Sequence, residues 1–370
     1  MRIALVAEDY YPQLGGVPEH VHNLALQLQR WGHVAHVVTS RMRGQAADPP
    51  FVQRVGTSLV IYANGGVARI TVGWRLLRRL EALFRAERYD IVHVHGGLAP
   101  TLGLAAPLAA RRAGIPVVAT FHTWFPGSVG YRVGRRPLQR LLDRHAATIA
   151  VSQPVVEAMS RYFHARWEII PNGVDLEAFQ PDGRRPEDAL RRGPRLLFLG
   201  RLEPRNGLDV LLAAMPRILA RYPATTLTIA GDGPWRGGYE RQARRAGVWP
   251  AVRFTGTVFA ERRDLYATAD LYLCPTERAS FGVTLLEAMA CGTPMVLREN
   301  PGFRAVLRDG PEAVFVRGTD PSLWAENVTA LIADTTRRGQ MGAAGRLRAA
   351  EFAWPVVARR ELDVYERVIG

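Results

Sequence analysis

Between Thr276 and Pro294 the chain reads Thr-Glu-Arg-Ala-Ser-Phe-Gly-Val-Thr-Leu-Leu-Glu-Ala-Met-Ala-Cys-Gly-Thr-Pro. The spacing predicts a turn and then a helix that Gly292 and Pro294 bring to an end. Ser280, Phe281, Gly282 and Val283 stand at its start, where unpaired backbone N–H groups and the positive end of the helix dipole can hold an anion. Glu287, deeper in the helix, offers an acceptor to sugar hydroxyls; a core helix with a routine cap is the plainer reading. A second segment, Gly200-Arg201-Leu202-Glu203-Pro204-Arg205-Asn206-Gly207, follows an apolar run, and Arg201 suits bidentate binding of phosphate. In the first half, Gly15-Gly16 precedes a helical pattern, a place where backbone without a Cβ can approach a ligand; a tight connection would read the same way. His122, in Thr120-Phe121-His122-Thr123, can donate to a sugar hydroxyl or serve as a structural histidine. His93 and His95 fall on one face of a strand, as metal ligands can. No third or fourth ligand is evident and there is no Asp-x-Asp pair, so the expectation is that no metal is bound. A metal-free site must then neutralise a leaving phosphate with arginines and helix ends.

The elements that must position these residues alternate. Apolar runs at Arg2–Ala7, Val34–Thr39, Ile91–His95, Val117–Phe121 and Thr148–Val151 read as strands separated by helical patterns. Arg195–Leu199, Thr226–Ala230, Val252–Thr255, Leu271–Cys274 and Pro294–Leu297 repeat the scheme. Such alternation predicts two α/β units with parallel sheets covered by helices on both faces, and ligands in these sheets bind outside the carboxyl ends of strands. The Pro-, Gly- and Arg-rich passage after Ile170-Pro171-Asn172-Gly173-Val174-Asp175 reads as the linker between them.

With 370 residues the chain is long enough for two cores, since single cores rarely grow past about 250 to 300 residues. Its two cysteines, Cys274 and Cys291, imply no disulfide framework and suit a reducing compartment. The opening apolar run is too short for a signal peptide, and the longest run free of charged residues and histidine, the 15 residues Gly96 to Ala110, contains two prolines, so no membrane span is expected. All 48 basic residues are arginine, against 34 acids, for a net charge of +14. Residues 1–175 hold 20 arginines and 11 acids, residues 176–370 hold 28 and 23; the more basic first half suits an anionic partner. No zinc-finger, RNA-recognition or basic-zipper signature accompanies the charge, which argues against nucleic acid.

The motifs resemble the nucleotide-sugar site of the retaining family-4 glycosyltransferases of the GT-B fold, and over essentially the whole chain the sequence is most similar to phosphatidylinositol mannosyltransferases. Asn64-Gly65-Gly66-Val67-Ala68-Arg69, Ala119–Thr123 and Gly302–Gly310 also carry the resemblance. It implies two doubly wound Rossmann-like domains facing across a cleft. Residues 1–172 would form the acceptor side, 173–193 a linker and 194–352 the nucleotide-sugar domain, with a C-terminal helix at about 353–370 crossing back to the first. By the same resemblance Gly15 and Gly16 abut the donor diphosphate, and His122 lies near the reacting face of the sugar. Arg201 and Arg205 would meet the diphosphate, Gly256 and Val258 would line the base pocket, and Ser280 to Val283 would hold the β-phosphate. Glu287 would accept from the ribose; His122, Arg201 and Glu287 are the expected catalytic residues. The sequence departs from the family at Asn206, where a lysine is usual, and at Ala279, where the first of two glutamates is usual. The implied reaction moves a hexose, mannose from GDP-mannose, to a lipid-linked acceptor without any cofactor.

Leu76, Leu77, Leu80, Leu83 and Phe84 recur at helical spacing within Arg69 to Arg88, with Arg75, Arg78 and Arg79 on the other side. This is either a solvated helix face or a surface for an anionic membrane, the latter placing the protein in the cytoplasm, peripheral at the inner face of the cell membrane. Transfer to a soluble sugar or polysaccharide, a sugar-nucleotide epimerase, and a non-catalytic protein that binds nucleotide sugar or membrane are the competing readings.

Overall fold

The computed structural model describes residues 1–13, 15–42, 47–63, 66–181 and 193–370, with backbone only at 61–63 and 66–68. Asn64 and Gly65 of the quoted stretch, and residues 182–192 of the expected linker, lie outside the described residues. Two compact units divide the chain: residues 1–173 with 354–370, and residues 174–353.

In the first unit the strands are β1 (Arg2–Ala7), β2 (Val34–Arg41), β3 (Val52–Ala63), β4 (Gly66–Val72), β5 (Ile91–His95), β6 (Val117–Phe121), β7 (Ala147–Ala150) and β8 (Trp167–Ile169). They form one sheet in the order β4-β3-β2-β1-β5-β6-β7-β8. Ile3 to Ala7 are buried on both faces of the sheet, which is why β1 is an unbroken apolar run. Helix Gly16–Arg30 lays Val21, Leu24, Ala25 and Leu28 onto one face, a stripe at helical spacing. Val357, Ala358, Leu362 and Tyr365 of the C-terminal helix Trp354–Ile369 join the same core, so that helix belongs to the first unit. Helices Leu76–Glu87 and Leu102–Arg112 share a second core through Leu80, Phe84, Leu102 and Ala106.

Two expectations need correction here. The sheet is not wholly parallel: β3 pairs antiparallel with β4, Thr57 opposite Val72. β3 carries Gln53, Arg54, Gly56, Thr57 and Ser58 rather than an apolar run, since an antiparallel pair at a sheet edge can leave one face to water. The stretch Arg69 to Arg88 is not helical throughout; Arg69 lies in β4, and the helix begins only at Leu76.

The second unit has β9 (Arg195–Leu199), β10 (Thr226–Ala230), β11 (Val252–Gly256), β12 (Leu271–Cys274), β13 (Met295–Arg298) and β14 (Ala313–Val316), in the order β11-β10-β9-β12-β13-β14. Every pairing is parallel. Each sheet reverses its direction of growth beside its first strand, between β1 and β5 in one unit and between β9 and β12 in the other. At such switch points the loops leaving adjacent strands diverge and open a crevice. Among the described residues no helix is long and apolar enough to cross a membrane.

Candidate active site

At the β9/β12 switch point two loops are tied together. After β9, Gly200 to Glu203 lead into a 3-10 turn at Pro204–Asn206, and Gly207 takes a positive φ of 70° before helix Leu208–Arg221. A Cβ on Gly207 would lie 2.6 Å from the Pro275 carbonyl oxygen, so only glycine lets this turn sit against the loop after β12. That contact, and Glu277 N donating to Arg205 O at 2.9 Å, bring the arginine motif and the Thr276–Gly282 segment side by side.

Glu203 is buried, and its carboxylate receives Arg201 Nη2 at 3.0 Å and Arg205 Nε at 2.8 Å. Both guanidinium groups remain more than half exposed. One carboxylate therefore holds two cations in place, and the local charge stays positive. Asn206 is used differently: its Nδ2 donates to Arg201 O at 2.7 Å, and its Oδ1 accepts from Thr276 Oγ1 at 3.4 Å. Both ends of the amide thus brace the two loops. Beside it lies a cavity of about 180 Å³ lined by Gly200, Asn206, Thr276, Ala279, Gly282 and Thr284, among others, with no charged side chain in its wall.

Gly282, at φ 129°, begins helix Val283–Ala290, and no side chain caps that start. A Cβ there would come within 2.9 Å of Leu285. Ser280 is half-buried beside it, and Phe281 is buried against Phe352, 5.9 Å between ring centres. Glu287 points into the protein, where Arg262 Nη1 donates to its Oε1 at 2.8 Å. Arg262 opens the helix that follows Gly256 and Val258, so the ion pair joins the expected ribose acceptor to the expected base segment. Sequence reading did not single out Arg262; its place just beyond Val258 was the available signal. Gly200, Gly231 and Gly256 end the neighbouring strands β9, β10 and β11, and a Cβ on Gly231 would lie 2.0 Å from Gly200 O.

In the first unit His122 ends β6, buried with His95 and His20. His95 Nδ1 and His122 Nε2 are 3.1 Å apart, and the His20 ring lies 5.0 Å from that of His122. His20 sits on the helix that Gly16 starts, so the glycine turn and His122 are joined through it. A Cβ on Gly15 would meet nothing closer than Pro18 Cδ at 3.6 Å; packing among the described residues does not itself demand glycine there. The sequence offered no third ligand beside His93 and His95, and the fold gives the two histidines different neighbours. His93 is bound by Tyr365 Oη at 2.5 Å and Thr120 Oγ1 at 2.7 Å, whereas His20, His95 and His122 bring nitrogens within 4.8 Å of one another. Burial holds His93 down to about 4, and burial with the neighbouring imidazoles holds His95 and His122 well below the usual histidine range. Neutral imidazoles of this kind can exchange hydrogen bonds with hydroxyls or, three together, ligate a transition metal. Glu361, buried in the C-terminal helix, lies 2.9 Å from His20 Nε2.

Arg75, Arg78 and Arg79 are all exposed, while Leu80 and Phe84 face the core. The Arg75 guanidinium lies 5.8 Å from the ring centre of Trp74, which is 78% exposed.

Residues 14–178 match the domain family described as Glycosyltransferase Family 4, and residues 193–334 match Glycosyl transferases group 1. The chain is 34% identical to a phosphatidyl-myo-inositol mannosyltransferase of Mycobacterium tuberculosis, covering 100% of this chain and 98% of that one. It is 32% identical to the enzyme of the same name from Propionibacterium freudenreichii, over 99% and 94%. Among solved structures, Anabaena HepE in complex with UDP and glucose superposes with a TM-score of 0.79 at 19% identity, covering 99% of each chain. Sucrose-phosphate synthase from Thermosynechococcus elongatus superposes at 0.78 and 20% identity, over 99% and 98%. With these matches across both doubly wound units, the chain belongs to the family-4 glycosyltransferases of the GT-B fold.

Proposed function

We propose that this protein transfers mannose from GDP-mannose, with retention, to a phosphatidylinositol-type lipid at the inner face of the cell membrane, and that it needs no metal. The observation that carries the reading is the full-length similarity, at 34% identity, to a mannosyltransferase of that name. In the reaction the bond from the anomeric carbon to the diphosphate breaks, and a bond to the acceptor hydroxyl forms on the same face. The acceptor's proton passes to the departing diphosphate. Negative charge then grows on the leaving group, and preorganised donors stabilise it most effectively. Arg201 and Arg205, held by Glu203, and the uncapped helix start at Ser280 to Val283 are suited to that task. Glu287, oriented by Arg262, accepts from the ribose; Gly256 and Val258 lie along the base. Gly15 and Gly16 leave room for the diphosphate, and neutral His122 orients a sugar hydroxyl without adding charge. The anionic leaflet is met by Arg75, Arg78 and Arg79, with Trp74 as an amphipathic anchor.

A non-catalytic nucleotide-sugar binder is the second reading, favoured by the internal bracing of Asn206 and by the uncharged cavity beside Ala279. Incubating the full chain with GDP-mannose or UDP-glucose and with phosphatidylinositol vesicles or soluble sugars separates the readings. Mannosylated lipid from GDP-mannose is the expected product. Product on soluble sugars alone would remove the lipid acceptor, and a donor that binds without turnover would favour the second reading.

A further inference from the structure

We infer that helices Val129–Val133 and Arg135–Leu142 form a second docking surface for an anionic phospholipid bilayer, separate from the Arg75–Arg79 face; this rests on the reading of the protein as one that acts on a membrane lipid. Between Asp90 and Glu157 the sequence carries seven arginines and a single acid, Asp143. Five of them, Arg132, Arg135, Arg136, Arg140 and Arg144, lie on or just beyond these helices, and all five are exposed. Asp143 does not neutralise them: its carboxylate accepts from Gln139 Nε2 at 2.6 Å, and none of the five meets a carboxylate among the described residues. The positive charge is therefore left for a partner.

Charge alone would suit any polyanion. The valines narrow the choice. Val129 and Val133, four apart and so on one side of their helix, are 74% and 81% exposed. They are held out rather than loosely placed. Tyr131, between them, turns inward with its ring 5.1 Å from that of Phe163, and Ser128 caps the helix by accepting from Tyr131 N at 3.1 Å. The second helix is fixed by Gln139, which exchanges hydrogen bonds with both backbone groups of His164, at 2.8 and 2.9 Å. Rigid apolar side chains among arginines that meet no carboxylate suit a surface of anionic headgroups over acyl chains; nucleic acid would reward the charge but not the valines. The fold also aligns the two faces. Helix Leu102–Arg112 shares a core with helix Leu76–Glu87. The strand order runs on from β5 to β6 to β7, and crossovers of the usual right hand would put the new helices on that same face of the sheet.

The test is vesicle co-sedimentation of the full chain on phosphatidylglycerol–phosphatidylcholine vesicles at low and high salt. It compares wild type with Arg136→Ser/Arg140→Ser, Val129→Ser/Val133→Ser and Arg75→Ser/Arg78→Ser/Arg79→Ser. Each basic residue near an anionic leaflet multiplies partitioning about fivefold, so the double arginine variant should bind about 25-fold more weakly at low salt. The valine variant should lose binding that high salt does not remove. A Val133→Cys variant carrying an environment-sensitive fluorophore, with both native cysteines buried, should brighten on adding vesicles; this readout does not depend on weakened variants folding well. Unchanged partitioning in the arginine and valine variants, or a label that stays dark, overturns the inference while leaving the Arg75–Arg79 face intact. Tighter binding to an RNA oligonucleotide, lost with the arginines and unmoved by the valines, also overturns it. Absence of all vesicle binding, alongside mannosylated lipid formed in detergent, would remove the docking surface and keep the transferase reading.

Discussion

Glu203 and Glu287 are both buried carboxylates matched by arginines, but the two arrangements lead to different consequences. Glu203 shares two half-exposed arginines, so removing one leaves the carboxylate still paired. Arg201→Ala should therefore fold normally and lose diphosphate binding. A hydrogen bond between charged groups contributes about 1.5–3 kcal/mol, so GDP affinity should fall tenfold to more than a hundredfold while guanosine affinity stays nearly constant. Calorimetry with both ligands decides the matter, and equal losses would make Arg201 structural. Glu287 has a buried ion pair with Arg262. Removing one partner of such a pair typically costs about 3–5 kcal/mol, because it strands the other charge. Arg262→Leu should lower the denaturation midpoint accordingly; adding Glu287→Leu should restore much of the stability without restoring nucleotide binding. Failure of the double variant to recover would show that the pair stabilises the fold by more than mutual neutralisation. The two departures from the family pattern belong to this scale as well. If Asn206 and Ala279 are losses, Asn206→Lys and Ala279→Glu should raise donor turnover, most in combination. A wild type already turning over at about 1 s⁻¹ or faster, and slowed by both changes, would mean the site is built around them.

At the scale of elements, the histidine cluster joins parts of the chain that are far apart in sequence: the helix begun by Gly16, strands β5 and β6, and the C-terminal helix through Glu361 and Tyr365. Its cost is a pH dependence. An unfolded histidine titrates near 6.5, whereas folded His93 is held down to about 4 by burial. Between those values the unfolded chain takes up the proton and the folded chain does not, so stability is present above pH 6.5 and is lost as the pH falls toward 4. His95 and His122 act in the same direction. His93 alone contributes about 3 kcal/mol to this slope. The urea midpoint should fall steadily between pH 7 and 4.5, and His93→Gln should flatten the fall; a midpoint independent of pH would contradict the buried, neutral state of the cluster. Strands such as β1, β5 and β9 were legible because parallel strands buried on both faces are unbroken apolar runs. The antiparallel β3–β4 pair was hidden by polar residues on its open face, and β8 by having only three residues, one of them Glu168. Site motifs at strand ends were legible for the same topological reason. Arg262 with Glu287, and His20 with Glu361, were not, because nothing local in the sequence marks a side-chain pair that only the fold brings together.

At the scale of the whole molecule, the net charge of +14 carried entirely by arginine bears on how the donor is held. An arginine stays charged at every working pH and forks onto phosphate oxygens, so a protein with this surplus has a means of holding a diphosphate without an ion as bridge. Its attraction then depends on ionic strength, since exposed charges farther apart than a Debye length, about 10 Å at 0.1 M salt and about 3 Å at 1 M, are screened. A metal bridge would respond instead to chelation. Calorimetry of GDP-mannose binding should accordingly give the same affinity with and without EDTA, and an affinity that weakens as salt rises. Arg201→Ala should show a shallower salt slope than wild type, because the removed guanidinium is more than half exposed and so contributes to the screened share. If EDTA abolishes binding, the metal-free account fails. Among the described residues the group to test next is then His20, His95 and His122, since three imidazoles with a carboxylate behind one of them are a donor set that zinc accepts. His122→Ala would have to remove the metal as well as the binding for that assignment to stand.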